Sequence, residues 1–232
     1  MKAIILAGGK GARLYPVTLE TPKPLLTVRK KPILSYLVEL FLEQGIFDIG
    51  ISISAEHKED YQWWYKRWWN DYPFRFFEEA EPMGTFGALV GAAHWVRNED
   101  FYVTNGDELK RVDLKAMRDF HEKHQSPATI ALVEHEKPHD YGVAVLDGPK
   151  IVQFLEKPKE PPTKLISSGL YLFTPAIFDH YDFGDPRFEM LEHDLFPVLA
   201  SQGRLYGYPF RGKWHDCGTF ERWQKAIEEW GS

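Results

Sequence analysis

The chain has 232 residues, 28 Lys and Arg against 34 Asp and Glu, a formal net charge of −6, and one cysteine. This length allows one large domain or two small ones with a substantial core. The charge balance, with no basic block, argues against nonspecific nucleic-acid binding, and one cysteine excludes an intrachain disulfide framework and suits a reducing compartment.

Met1 to Leu6 reads MKAIIL, a short apolar run with β-branched residues, as expected of a buried parallel strand. It enters the strand directly, and no apolar run reaches membrane-spanning length, so a soluble, cytoplasmic protein with no membrane partner is expected. The strand is followed by Leu6-Ala7-Gly8-Gly9-Lys10-Gly11-Ala12-Arg13-Leu14. Glycines let a backbone turn tightly and bring its N–H groups to an anion, and Arg13 adds a bidentate cation. Lys23, between Pro22 and Pro24, has its backbone held extended. A glycine cluster after a strand is also compatible with a tight exit that binds nothing.

From Pro32 the pattern ILSYLVELFLEQG predicts an amphipathic helix stopped at Gly45. Phe47 to Ser54 predicts a second strand and Glu56 to Trp69 a second helix, whose spacing puts Trp64 and Trp68 on one face for core packing and a subunit contact. Phe74 to Phe77 reads as a short strand. It leads to Glu81-Pro82-Met83-Gly84-Thr85, where a helix begins; its N-terminus presents unpaired N–H groups, and glycine admits a planar ring close to the backbone.

Phe101 to Thr104 is the next strand, ending in Asn105-Gly106-Asp107. A carboxylate just past the carboxyl end of a parallel strand lies where open α/β sheets bind ligands, and it is a hard oxygen donor suited to Mg²⁺. After a helix over 113–124 the texture changes. Strand-like runs at Thr129 to Glu134, Val143 to Leu146, Ile151 to Glu156 and Leu165 to Phe173 follow at short spacing, which suggests a partly antiparallel subdomain. A closing helix spans Glu221 to Trp230, with Thr219 as its cap.

Three other motifs are set aside. His135-Glu136-Lys137-Pro138-His139 fits H-E-x-x-H, but Pro138 breaks the helix that zinc chemistry needs. Gly207 to Lys213 resembles a P-loop until Trp214 stands where Ser or Thr should be. Cys217 lacks the His and carboxylate pattern of a nucleophile.

The run LAGGKGARLYPVTLETPKPLL resembles the signature of the sugar-1-phosphate nucleotidylyltransferases, GG-x-G-x-R-L-x-P-x-T followed by P-K-P-L. Gly84-Thr85, Gly106-Asp107, Tyr141-Gly142, Glu156-Lys157-Pro158, Ser168-Gly169 and Trp214-x-Asp216-x-Gly218-Thr219 fall in that family's order. The resemblance implies an α/β fold: a Rossmann-like three-layer sandwich with a mainly parallel central sheet and a smaller, partly antiparallel sugar-binding subdomain. One domain is expected over 1–232, with a nucleotide-binding half at about 1–125 and a sugar-binding half at about 126–232.

The implied reaction condenses a nucleoside triphosphate with a sugar-1-phosphate to give a nucleotide-diphosphate sugar and pyrophosphate. By resemblance the nucleotide is held by Leu6, Ala7, Gly8, Gly9, Gly11, Arg13, Lys23, Gly84, Thr85 and Gly106, with Arg13, Lys23 and Asp107 catalytic. The sugar phosphate is assigned to Tyr141, Gly142, Glu156, Lys157, Ser168 and Gly169, and Mg²⁺ to Asp107 and Asp216. Ser167-Ser168 departs from the asparagine that many relatives place there. The Pro-x-Gly-Thr loop resembles GDP-mannose and GDP-heptose forming members. Ser168-Gly169-Leu170-Tyr171 leans instead to thymidylyl enzymes, so a dTDP- or UDP-glucose product is the alternative. A noncatalytic regulatory subunit on the same fold, and a homodimer through the Trp-rich helix, are further expectations.

Overall fold

Successive side chains of the first strand, β1 (Lys2–Leu6), are buried in opposite directions: Ala3 and Ile5 enter one hydrophobic cluster and Ile4 another. The same alternation recurs two strands further into the chain's core, because side chains of a strand point to alternate faces. In this computed structural model, which describes residues 1–181, 183 and 187–231, that alternation divides a three-layer sandwich.

After β1 and a glycine-rich connection come the short pair β2 (Thr27–Val28) and β3 (Lys31–Pro32), then α1 (Ile33–Glu43), β4 (Asp48–Ser54), α2 (Lys58–Trp68), β5 (Arg75–Glu79), α3 (Gly84–Val90), α4 (Ala93–Val96) and β6 (Phe101–Asn105). The chain continues with β7 (Glu108–Lys110), α5 (Leu114–His124), β8 (Ala128–Glu134), β9 (Gly142–Asp147), β10 (Lys150–Glu156) and β11 (Leu165–Phe173). It closes with α6 (Phe196–Ser201), β12 (Leu205–Pro209), β13 (Trp214–Asp216) and α7 (Phe220–Glu229).

Among the described residues nine strands form one sheet in the order β5-β4-β1-β6-β11-β8-β12-β10-β9. Leu34, Leu37 and Phe41 of α1, Tyr61 and Trp64 of α2 and Met117 of α5 cover one face, with Tyr102, Leu170 and Leu172. Phe86 and Leu89 of α3, Val96 of α4 and Phe196 and Leu199 of α6 cover the other, with Phe101, Val103 and Phe173. The α/β sandwich is as expected.

The sheet is mixed, however. β5, β4, β1 and β6 are parallel, and so are β8 and β12. β11 runs antiparallel to β6 and β8, and β10 runs antiparallel to β12 and β9. The cause is connection length: helical crossovers early in the chain return the strand parallel, whereas the tight Asp147-Gly148-Pro149 turn joins antiparallel neighbours. The strands of the second half thereby extend the same sheet.

The Trp-rich helix divides its side chains. Trp64 is buried, stacks on Phe74 with ring centroids 5.8 Å apart, and donates Nε1–H to Ser35 Oγ at 2.9 Å. Trp69 Nε1 reaches the same hydroxyl at 3.3 Å. Trp63 and Trp68 remain 66% and 41% exposed, so Trp68 does not share the buried face of Trp64. Among the described residues no helix is long and apolar enough to cross a membrane. His135 ends beyond β8 and is followed by a 3₁₀ turn over Pro138–Asp140, while the P-loop-like run begins inside strand β12.

Candidate functional site

A cavity of about 470 Å³ opens at the carboxyl ends of β1, β5 and β6. Leu6, Ala7, Gly8, Gly9, Gly11, Arg13, Lys23, Gly84, Thr85 and Asp107 all line it, joined by Ala12, Pro24, Glu79, Pro82, Ala88, Asn105, Phe188, Met190 and Gly218. Parallel strands that end together leave a crevice at their carboxyl edge, as in other open α/β sheets. Tyr61 of α2 supports its floor, donating its hydroxyl hydrogen to the Ala7 carbonyl at 2.6 Å.

Gly11 adopts φ +62, a left-handed conformation, and its carbonyl accepts from Thr18 Oγ1 at 2.8 Å. The chain then turns through a short 3₁₀ helix, Ala12–Leu14, that exposes Arg13. Gly106 is placed behind the cavity wall: its N–H donates to the Leu6 carbonyl at 2.8 Å, and a Cβ there would meet that same oxygen. This glycine fastens the Asp107 turn to β1.

The start of α3 differs from the expectation. Phe86 and Gly87 do not offer free N–H groups; both donate to the Glu189 carbonyl, at 3.0 and 3.2 Å. Gly84 has φ +78, and a Cβ on it would overlap that carbonyl, so the missing side chain admits the 187–190 segment. Thr85 Oγ1 donates to Glu192 Oε2 at 2.7 Å and accepts from the Leu191 N–H at 2.8 Å.

At the inner end Lys23 forms an ion pair with Asp107, and its Nζ lies 3.9 Å from Asp216 Oδ1. Burial would lower the Lys23 ammonium, but Asp107 and Asp216 together hold it above its ordinary value. Burial likewise opposes the Asp107 carboxylate, and the Lys23 charge and hydrogen bond, with Lys110 beyond, pull it below the usual range. β13 brings Asp216 there by pairing with β7, His215 opposite Leu109 and Asp216 opposite Glu108. The Cys217 N–H closes the junction on the Asp107 carbonyl at 3.3 Å. The Cys217 thiol is buried and pushed up by that burial, which removes it as a nucleophile.

Behind the two carboxylates lies a buried polar knot. Lys110 Nζ donates to Ser168 O at 2.7 Å, Thr104 Oγ1 at 2.9 Å, Gly169 O at 3.1 Å and Glu108 Oε2 at 3.2 Å. Trp214 Nε1–H adds a bond to Glu108 Oε2 at 2.9 Å. Burial pushes the Glu108 carboxyl up to about 7, against the pull of Lys110.

The residues expected on the sugar side separate into two groups. Gly142 and Glu156 are opposite each other on β9 and β10, the Lys157 N–H donates to Tyr141 O at 3.0 Å, and Lys157 Nζ pairs with Glu156 Oε1 at 2.6 Å. Tyr141 also joins the carboxylate end through its hydroxyl, 3.2 Å from Asp216 Oδ2. Ser168, by contrast, is fully buried, and its Oγ donates to the Ala131 carbonyl at 2.8 Å. A register shift in β11 between Ser167 and Tyr171 accompanies this placement of the Ser168 hydroxyl in the sheet, and Gly169 packs against Asn105 and Glu108. None of the six lines the 470 Å³ cavity.

Glu79, Glu108, Lys110, Asp140 and Arg222 were not legible as site residues, because charged residues at strand ends and helix starts look like solvated surface. Glu79 is half-buried at the end of β5, where its Oε1 accepts from Ser52 Oγ at 2.7 Å. Burial pushes its carboxyl up. A Cβ on Gly8 would meet Glu79 Oε1 at 2.6 Å, so that glycine makes room for the carboxylate.

Asp107 and Asp216 fit a divalent cation. Two hard oxygen donors already converge on a cation, the Lys23 ammonium, and among the described residues no third His, Cys, Asp or Glu joins them. A hard ion there would take its remaining ligands from substrate and water, the usual condition for Mg²⁺.

A nucleotidyl transferase family model matches residues 2–231. Mannose-1-phosphate guanyltransferase beta-B of Xenopus laevis is 34% identical over 229 residues, covering 94% of this chain and 61% of the relative, so the chain spans about three fifths of that protein's length. Among solved structures, a Bacillus anthracis protein assigned as a glucose-1-phosphate thymidylyltransferase superposes with a TM-score of 0.89 at 28% identity, covering 98% of this chain and 94% of its own. HddC from Yersinia pseudotuberculosis, complexed with GMP-PN, gives a TM-score of 0.83 at 29% identity and covers 98% of both chains.

Proposed function

This chain belongs to the nucleotidyl transferase family, and we propose that it condenses GTP with a sugar-1-phosphate, mannose or heptose, to release pyrophosphate and a GDP-sugar. The observation that carries the choice of base is Glu79. Guanine presents N1–H and the exocyclic N–H side by side as donors, and a carboxylate accepts both. Thymine and uracil instead flank their single N3–H with carbonyl oxygens, which a carboxylate repels. Guanyltransferase relatives and the GMP-PN complex of HddC support the same reading.

An anionic oxygen of the sugar phosphate attacks the α-phosphorus in line, the bond from that phosphorus to the bridging oxygen of the β-phosphate breaks, and pyrophosphate leaves. The nucleophile already carries its charge, so the site needs no strong base. It needs alignment and neutralisation of charge as it moves to the leaving group. Arg13 on the cavity wall holds the β- and γ-phosphates, Lys23 the α-phosphate region and Lys157 the sugar phosphate. Mg²⁺ held by Asp107 and Asp216 would polarise the α-phosphate and template the geometry.

We assign nucleotide binding to the half at about 1–125 and sugar binding to about 126–232, with Asp216 returned to the first by β13. The single cysteine supports a reducing, cytoplasmic setting, and the exposed Trp63 and Trp68 support a homodimer contact. The test is Mg²⁺-dependent pyrophosphate release over a grid of GTP, UTP, dTTP, CTP and ATP against mannose-, glucose- and heptose-1-phosphates. Release confined to GTP is the expected result. Release confined to dTTP or UTP with glucose-1-phosphate would replace this reading, and silence with retained nucleotide binding would indicate a regulatory protein.

A further inference from the structure

Asp216 is approached from two sides. Its Oδ1 faces Lys23, while Oδ2 accepts from Arg222 Nη1 at 2.7 Å and from the Tyr141 hydroxyl. Arg222 Nη2 pairs with Asp140, in the turn before β9, and the guanidinium lies over the Tyr141 ring at 5.0 Å. The placement is built in by the helix start. Thr219 caps α7 by accepting the Arg222 N–H at 3.3 Å, which sets the first turn and aims the side chain back across β13.

We infer that Arg222 is a positioning residue that occupies Oδ2 of Asp216, leaves Oδ1 to a divalent cation, and keeps the free protein's affinity for that cation low until the triphosphate arrives. The inference rests on Asp107 and Asp216 being the cation's ligands. Charge balance drives it. Lys23 sits against Asp107, and Arg222 against Asp216, so the two carboxylates are matched by two fixed cations. The neighbouring Glu108 is matched in turn by Lys110. A divalent ion arriving alone meets two carboxylates already faced by cations, Arg222 being shared between Asp216 and Asp140, whereas one arriving with a triphosphate brings its own oxygens. Fork geometry matters too: a guanidinium can engage Asp216 and Asp140 at once, which a lysine ammonium on a flexible stem does less well.

The experiment reads Mn²⁺ binding directly, by the electron paramagnetic resonance signal of unbound Mn²⁺ titrated with purified protein, with and without GTP. The wild type should take up Mn²⁺ weakly alone and strongly with GTP. Arg222→Gln removes the charge and should bind Mn²⁺ alone about tenfold more tightly. Arg222→Lys keeps the charge and should stay near wild type in that measurement while losing turnover through lost orientation. Arg222 is 23% exposed in its side chain, and both replacements suit a helix. A purely structural role would lower thermal stability without raising Mn²⁺ affinity. Mn²⁺ uptake without GTP that is unchanged by Arg222→Gln, with GTP-dependent uptake retained, would overturn this inference alone. No uptake by either protein with GTP would overturn the ligand assignment as well.

Discussion

Lys23 and Asp107, 84 positions apart in sequence, form an ion pair at the inner end of the cavity, with Lys23 almost wholly buried. Lys23 is not extended, as its flanking prolines had suggested, but opens a 3₁₀ helix over Lys23–Leu25, and β6 delivers the carboxylate. A charge fixed in this way is available to a transition state without reorganisation, and removing one such group costs on the order of 3 kcal/mol. Lys23→Ala should therefore lower turnover at least ~100-fold in the pyrophosphate assay, and Asp107→Ala should do the same. Near-normal turnover by either folded variant would sink the assignment.

Glu79→Gln tests the base pocket. The amide keeps the shape and the Ser52 contact, but it replaces one acceptor by a donor. Charge-assisted hydrogen bonds contribute roughly 1.5–3 kcal/mol, so kcat/KM for GTP should fall about 10- to 100-fold while that for UTP or dTTP rises. Measured side by side, an unchanged ratio of GTP to UTP would place the base elsewhere.

The glycine-rich loop that lines the cavity was legible because its pattern is local: glycines, an arginine and a proline-flanked lysine within a few turns of a strand. Asp107 was legible for the same reason, at the end of a strand. The pairing of β7 with β13 was not, since both are three residues long and far apart in the chain, and neither has a hydrophobic period to announce it. Ser168 shows what residue types leave out. Its neighbours matched a family landmark, but a register shift accompanies the placement of its hydroxyl in the sheet, and such a shift leaves no mark in residue types. The mixed sheet follows from hairpin connections whose shortness was visible, though their attachment to the edge of β6 through β11 was not.

Lys110 is the test of the buried knot. Lys110→Met leaves Glu108 without its cation and the Ser168 and Gly169 carbonyls without a donor. Breaking a buried pair from one side typically costs about 3–5 kcal/mol. At about 2–4 °C per kcal/mol for a protein of this size, the thermal midpoint should drop by roughly 10 °C. Adding Glu108→Gln should recover part of that loss, because burial already pushes the Glu108 carboxyl up to about 7 with Lys110 in place, and the amide avoids burying that carboxyl without its partner. A drop of less than ~2 °C, or no recovery in the double variant, would show that the knot carries little stability.

His121 gives stability a pH dependence whose sign is fixed by burial. Its side chain is 2% exposed, Nδ1 lies 2.8 Å from Thr129 Oγ1, and Nε2 has no hydrogen-bond partner among the described residues, with Asp100 Oδ2 3.8 Å away. Burial lowers its pKa from 6.5 to about 4. Between those values the unfolded chain binds a proton that the folded protein does not, so stability is fully present above pH 6.5 and is lost as pH falls towards 4. The separation corresponds to at most ~3 kcal/mol, reduced by whatever attraction Asp100 supplies. Urea denaturation at a series of pH values should show this decline in the wild type. In His121→Gln, which cannot take up the proton, the decline should be shallower by ~2 kcal/mol even if the variant is less stable at pH 7. Parallel curves for the two proteins would mean that His121 is protonated in the folded state, and that the neighbouring Asp100 outweighs its burial.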